Sequence, residues 1–367
     1  MKLRYYGHFQ LNTGYGHAAR QLAAALAEAG CEMELRTLGP RGDWTHHGPH
    51  FTDPDAVIVH TLPGDCHRVL DLEGLRRGWG PLVVAYTTWE GLTSPAEVVQ
   101  QLTEHFDQIW VPSTATAKAL GMHADASKSI RVIPHCYDSN LERPQRGYTD
   151  PKRFRFYWVG AWSARKNPGG LIRAFALAFD PGGQAELVVH SPGCSMDVFA
   201  AALASTGLQQ HELPKISLSH QHLSENLMAA LHAEADCFVT AARGEAWNLP
   251  AFDAILAGRH VISQYGLGSD EFLTNTSADL IDGWETPAHV DVSVTMSDDG
   301  AISMKTIGAQ GLTAKSLWLE PNLSSLADAM RSAFDNRQRT INVNYNVAER
   351  FGYAAVANQV LNVLENR

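Results

Sequence analysis

Apolar and polar positions alternate in blocks along the chain. Short apolar runs, which read as buried parallel strands, recur between stretches with apolar residues at helical spacing. In the first half, strands are expected at Lys2–Phe9, Cys31–Thr37, Ala56–Val59, Leu82–Tyr86, Gln108–Ser113 and Ile130–Pro134, with His60 at the end of the third. Helices are expected at Ala18–Ala29, with Leu22 and Leu26 on one face and Gly30 closing it, at Ala96–His105, and from Thr114. The segment QLNTGYGH reads as a glycine-bearing loop, and a Gly-, Pro- and His-rich loop runs up to Pro54. Such alternation predicts a doubly wound parallel sheet with ligands at the C-terminal ends of its strands.

Polar residues and two prolines in Ser139–Arg153 mark an interdomain linker. Beyond it the alternation restarts. Strands are expected at Phe154–Gly160, Ala185–His190, Lys215–Leu218, Ala235–Ala241 and from His260 to Ser263. Helices are expected at Leu171–Phe179, Asp197–Ala204, Ser224–Ala235 (Leu227, Met228 and Leu231 inward) and Leu323–Phe334. Trp284–Leu317 shows no period and reads as an insertion. The last helix, Ala348–Glu365, carries Val356, Val360, Leu361 and Leu364 on one stripe, which must be covered.

At 367 residues, the chain is long enough for two cores. Its net charge of −10 argues against a broad nucleic-acid surface, though not against a local basic cleft. Five scattered cysteines give neither a disulfide framework nor a zinc knuckle, which favours a reducing, cytoplasmic setting. No signal peptide is expected, and no apolar run approaches the ~18 residues of a membrane span.

Candidate chemistry concentrates in RGEAWNLPAFDAILAGRHVIS, Arg243–Ser263. A strand precedes it, Pro250 suits the start of a helix, and Gly258 suits its left-handed close. A helix N-terminus after a strand is an anion site, because free N–H groups and the helix dipole face the ligand. Glu245 on the turn and Asp253 one turn into the helix flank it. Arg165 and Lys166, after the first strand of the second half, are placed to neutralise a diphosphate leaving group. The bland alternatives are a plain βαβ unit with two solvated acids and a solvated basic turn.

Together these stretches resemble a family. VGAWSARKNPGGLIRAFALAF and ADCFVTAARGEAWNLPAFDAILAGRHVIS look like the two C-domain motifs of retaining family-4 glycosyltransferases of the GT-B fold. NTGYGHAARQLAAAL, TTWEGLTSPAEVV with FDQIWVPSTATAKAL, VIPHCYD and WLEP resemble further segments of one branch. The resemblance implies an α/β chain of two doubly wound Rossmann-like domains facing a central cleft. Residues 1–145 would be the acceptor side, 153–340 the nucleotide-sugar side, and 341–367 a helix crossing back to the first domain. It implies that Arg165 and Lys166 bind the donor diphosphate and that Glu245 meets the sugar hydroxyls. Amides near Asn248 and Leu249 would hold the distal phosphate, and Asp253, where the family has glutamate, the ribose. Gly14 and Gly16 would let the N-terminal loop approach the phosphates and the acceptor. Ser219 and His220 stand where the base is held, and Glu90 is an acceptor-side candidate, with His60 a weaker one. The reaction implied is metal-independent transfer with retention, without a cofactor, from a nucleotide-sugar to a glycan or lipid-linked sugar. Hydroxymethyl-pyrimidine in DNA is the alternative acceptor.

Two other classes compete. Gly14, Gly16 and Ala19 form G-x-G-x-x-A after a strand, with Glu32 or Glu34 at the distance of a ribose-binding acid, as in an NAD-dependent dehydrogenase. A non-catalytic nucleotide-sugar binder would use the same fold. His46, His47 and His50 lie in a Gly/Pro loop without ligand spacing on a helix or hairpin, which reads as a mobile loop near the acceptor and not as a metal site.

Overall fold

The computed structural model describes residues 1–39, 44–78, 80–121, 129–140, 153–274, 278–288, 291–296, 302–307, 316–336 and 345–366. Most of the expected linker, 139–153, therefore lies outside the described residues. The chain divides into two compact units. Met1–Glu142, Gln310–Ser316 and Tyr345–Arg367 form the first, and Arg143–Ala309 with Leu317–Asn344 the second.

The first unit opens with β1 (Lys2–Gly7), α1 (Gly14–Glu28), β2 (Glu32–Leu38), β3 (Trp44–His47), β4 (Ala56–His60) and α2 (Pro63–Glu73). It continues with β5 (Leu82–Tyr86), α3 (Ala96–His105), β6 (Gln108–Val111), α4 (Thr114–Gly121) and β7 (Ile130–Val132). The sheet order is β3-β2-β1-β4-β5-β6-β7, parallel except for β3. Strand order reverses between β1 and β4, the switch point at which such sheets open a crevice.

Helix α1 starts four residues before the expected Ala18. Thr13 caps it, its Oγ1 accepting from the Gly16 N–H at 3.3 Å. The Gly/Pro/His segment is not a plain loop either, because β3 pairs antiparallel with β2. Arg36 lies over the Trp44 ring at 4.1 Å and holds that strand on the edge.

In the second unit come β8 (Phe154–Val159), α5 (Pro168–Ala178), β9 (Ala185–His190), α6 (Met196–Ala204), β10 (Lys215–Ser219) and α7 (Glu225–Glu234). Then follow β11 (Cys237–Val239), α8 (Leu249–Leu256), β12 (His260–Gln264) and β13 (Ala278–Ile281). All pair in parallel, in the order β10-β9-β8-β11-β12-β13, with the switch point between β8 and β11. Leu227, expected inward on α7, is exposed, while His232 and Ala233 are the buried residues. The helix turns its other face to the core, where the His232 Nδ1 meets the Tyr157 hydroxyl at 2.7 Å.

The region read as a patternless insertion contains strands. β14 (Gly283–Pro287) pairs antiparallel with β17 (Leu317–Pro321), and β15 (Asp291–Met296) with β16 (Ile302–Ile307). Helix α9 (Leu323–Asp335) follows, capped by the Asn322 side chain.

The expected last helix is two, α10 (Tyr345–Phe351) and α11 (Tyr353–Glu365), broken at Gly352. The break lets the Phe351 carbonyl accept from the Tyr137 N–H at 3.1 Å. Val356, Val360 and Leu364 of α11 share one core with Leu22, Ala25 and Leu26 of α1. The Tyr353 hydroxyl donates to Gln21 (2.6 Å) and the Gln359 amide to the Val132 carbonyl (2.7 Å). Leu364→Ala is expected to cost about 2–4 kcal/mol, the usual range for a buried leucine, read by urea unfolding.

Glu34 on β2 is fully buried and accepts from Arg4 Nε (3.1 Å), Arg36 Nη2 (2.6 Å) and the Phe51 N–H (2.9 Å). Burial alone would push its carboxyl up; the Phe51 N–H and the two guanidinium groups outweigh burial and hold it at about 2. A depressed folded value means that the carboxylate contributes stability above its ordinary 4.5, lost as pH falls from there towards about 2. Glu34→Gln should flatten that part of the stability–pH curve, and should lower stability at neutral pH by about 3 kcal/mol because two buried guanidinium groups are left to share Glu73 alone.

Candidate functional site

The second unit's switch point is built from three loops that meet at one residue, Glu245. After β8, the chain turns through Ser163 and reaches α5 with Arg165 and Lys166 half-buried on the turn. After β11 it passes Arg243, Gly244 and Glu245 and enters α8. Glu245 is 6% exposed. Its Oε1 accepts from Lys166 Nζ at 2.5 Å, and its Oε2 lies 3.5 Å from Arg165 Nη1. Arg165 Nη1 also donates to the Gly244 carbonyl (2.6 Å), and the Arg243 N–H to the Arg165 carbonyl (2.7 Å). The side chain of Arg243 grips both Glu320 oxygens, one at 2.9 Å, and reaches the Ala164 carbonyl at 2.5 Å. Glu320 belongs to the WLEP segment on β17, so that motif serves to hold the loop after β11.

The third loop follows β12. The Gly268 N–H donates to the Glu245 carbonyl at 2.8 Å. A Cβ on Gly268 would stand 2.0 Å from the Ala246 carbonyl oxygen, so only glycine permits this approach. Behind the loop, Trp247, Phe252 and Phe272 pack with ring centroids 5.0–5.3 Å apart. Ala246 and Trp247 are thus anchored inward while Glu245 meets the cations.

Both helices that start here are capped by asparagine in the left-handed region, Asn167 (φ 51°) before α5 and Asn248 (φ 74°) before α8. Pro250 is the second residue of α8 and Gly258 follows its end at φ 71°. Leu249 opens α8. Asp253 sits half-buried one turn later, and its charge is felt by the buried Tyr157 hydroxyl on β8, which burial above all pushes up.

At the neighbouring strand ends, Ser219 closes β10 and its hydroxyl meets His190 Nδ1 at 2.9 Å, while His220 is exposed and its carbonyl accepts from the Gly193 N–H. Burial and the nearby His222 push the His190 imidazole down, so it is neutral at pH 7. Several buried polar atoms along this rim have no hydrogen-bond partner among the described residues: His190 Nε2, Ser191 Oγ, Asn167 Nδ2, Asn248 Nδ2, Ser263 Oγ and Ser269 Oγ. His190 and Ser191 lie at the end of β9, Ser263 near the end of β12, Ser269 in the turn after β12, and Asn167 and Asn248 at the starts of α5 and α8. Hydrophobic patterning gave the strand ending at His190 but did not mark His190, Ser191 or Asn167 as site residues; for His190 and Ser191, polar residues closing an apolar run were the available signal.

No family model matches this chain, and no curated protein does. Solved structures match it along its whole length. Anabaena Alr3699/HepE, in complex with UDP and glucose, superposes with a TM-score of 0.66 at 13% identity, covering 100% of both chains. Sucrose-phosphate synthase from Thermosynechococcus elongatus gives 0.66 at 14%, covering 100% of this chain and 98% of the other. The lipopolysaccharide outer core galactosyltransferase WaaB, in its apo form, gives 0.64 at 12%, covering 100% and 99%. The chain has the GT-B fold.

In the first unit of this GT-B chain, the rim of the β1/β4 switch point carries a separate polar group. Gly14 is exposed at the start of α1; Gly16 is buried, and a Cβ there would stand 2.0 Å from the Leu11 carbonyl oxygen and 2.7 Å from that of His8. Gly16 thus lets α1 close on its own leading loop. Between the glycines, the Tyr15 hydroxyl meets Thr88 Oγ1 at 2.5 Å, and His8 Nε2 meets Thr61 Oγ1 at 2.9 Å. Half-buried Glu90 is close enough for its charge to add to the burial that pushes the Tyr15 hydroxyl up. His60 is buried, stacked on Tyr86 at 4.2 Å, with Nδ1 on the Tyr5 hydroxyl at 2.8 Å; burial, then His135 and His8, push it well down.

Glu34, the ribose-acid alternative, is held by Arg4 and Arg36. The ligand atoms of Glu34, His46 and His50 do lie within 4.8 Å of one another, a grouping that spacing along the chain did not reveal. β3 folds His46 back over β2, and His50 Nδ1 approaches Glu34 Oε1 at 3.1 Å, so this segment is anchored to the sheet edge. Among the described residues, no helix is long and apolar enough to cross a membrane.

Gly268→Ala should force the loops after β11 and β12 apart, lowering stability by about 1–3 kcal/mol, as overpacking does, and displacing Glu245 from Lys166. Thermal unfolding and a crystal structure of the variant would check this; an unchanged midpoint would mean that the close approach is dispensable.

Proposed function

We propose that this chain is a retaining glycosyltransferase of the family-4 type, moving a sugar from a nucleotide-diphosphate-sugar to a hydroxyl of a glycan or lipid-linked sugar. One observation carries the reading: at the second unit's switch point, two cations and a buried carboxylate converge beside two helix N-termini. A diphosphate needs those cations and amides, and a sugar hydroxyl needs such a carboxylate. UDP is the nucleotide to try first, since HepE structures contain UDP and UDP-glucose.

In this reading Lys166 and Arg165 turn from Glu245 towards the donor diphosphate. The acceptor oxygen bonds to the anomeric carbon as the bond from that carbon to the diphosphate breaks. The leaving diphosphate keeps the electron pair and takes up the acceptor proton on the same face, so configuration is retained without a metal. The protein supplies charge and position. Asp253 holds the ribose, and the loop at Ser219 and His220 borders the base. Gly14, Gly16 and Glu90 belong to the acceptor side.

Lys166→Ala should lower kcat about 100-fold, the usual scale for one electrostatic donor, in a variant that stays folded with a lowered thermal midpoint, because Glu245 keeps only Arg165. Turnover of UDP-, GDP- and ADP-sugars would be followed by product NMR, where an inverted anomer would refute retention. A Lys166→Ala rate near wild type would remove this residue from the mechanism.

A further inference from the structure

Among the described residues, the non-glycine positions with positive φ are Asn167 and Asn248. Both are helix N-caps, both follow adjacent strands of one sheet, and both are 5% exposed. Glycine would adopt this backbone at lower cost, so the conformation does not call for a side chain. Capping explains only one of them. Asn167 accepts from the Gly170 N–H at 3.1 Å, whereas the Asn248 side chain makes no cap bond.

What the two share is a side-chain Nδ2 that is buried and has no partner among the described residues. Leaving a buried donor unbonded destabilises a fold, so a bound acceptor is favoured there. Two such donors therefore stand at the starts of two helices, next to Lys166 and three residues beyond Glu245. Those two residues join the loops at 2.5 Å. Donors at paired helix starts match acceptor oxygens carrying negative charge.

We infer that the side-chain amides of Asn167 and Asn248 are paired donors to the two phosphates of a bound nucleoside diphosphate. The inference rests on the donor site proposed above and adds to its backbone amides two side-chain contacts. The helix starts supply the field, and the asparagines supply the directed bonds. Lys166 and Arg165 are then left for the charge that develops on the leaving group.

Calorimetric titration of the full chain with UDP, GDP and ADP tests this, with wild type, Asn248→Gly and Asn248→Asp compared. All three residues tolerate the left-handed backbone, so folding is kept, and thermal midpoints without ligand check it. Asn167→Asp is the matching variant at the other cap, because it retains an oxygen for the Gly170 N–H. For the nucleotide that wild type binds, Asn248→Gly should lose about tenfold in affinity, one charge-assisted hydrogen bond. Both aspartate variants should lose more, since a carboxylate repels phosphate. A side chain with no ligand contact would leave Asn248→Gly near wild type, because glycine takes the same backbone and the backbone amides remain. Wild-type affinity in Asn248→Gly overturns the inference while leaving the donor site standing. Wild type binding none of the three nucleotides would overturn the donor site and the inference together.

Discussion

The second unit's site depends on one buried carboxylate. Glu245 is drawn out of water between Lys166 and Arg165, and a charge so placed is tolerable only while its partners stay in reach. The loops after β8 and β11 therefore have fixed positions relative to each other. Further bonds reinforce the tie: the Arg243 N–H donates to the Arg165 carbonyl, Arg165 Nη1 to the Gly244 carbonyl, and the Gly268 N–H brings in the loop after β12. Arg243 and Glu320 extend it to β17. The same pairing holds two cations beside a helix N-terminus.

Parallel strands explain why this chemistry stands where it does. Strand order reverses between β8 and β11, so the helices after these two strands depart to opposite faces of the sheet and leave a gap at their starts. Helix N-termini at that gap present unpaired N–H groups. The unpartnered side-chain atoms of the second unit gather along the same rim, at His190, Ser191, Asn167, Asn248 and Ser263. Buried polar groups are as a rule hydrogen-bonded, to protein, water or ligand, so these are the positions at which a bound molecule or water would find partners. The first unit repeats the arrangement at β1 and β4 with different side chains, Tyr15, His8 and His60, whose surroundings keep the two histidines neutral.

Much of the fold was legible in the sequence because local signals agreed. Buried strands of a parallel sheet are continuous apolar runs, and their bounds fell within a few residues of those observed. Helix positions followed from Leu22 and Leu26, from Pro250, and from Gly258. Errors fell where a local signal competed with a distant one. QLNTGYGH looked like a loop because glycine is a poor helix former, yet Thr13 caps α1 and the Leu11 carbonyl needs the space at Gly16. Trp44–His47 looked irregular among Gly, Pro and His until β2 and Arg36 gave it a partner. Leu227 sits at helical spacing yet faces out, because α7 turns His232 towards Tyr157 instead.

The sequence by itself determined the two alternating halves, the strand–turn–helix around Glu245, and the types of residue that sit at strand ends. These depend on periodicity and on residue chemistry, both local properties. Tertiary structure decided which strand ends are neighbours, and so which residues meet: Lys166 with Glu245, Glu320 with Arg243, His190 with Ser219, and α11 with α1. It also decided which polar atoms end up buried without a partner, and that two asparagines take a backbone usually left to glycine. Contacts between residues about eighty positions apart follow from strand order and from the space between packed loops, and neither is written in any local run of residues.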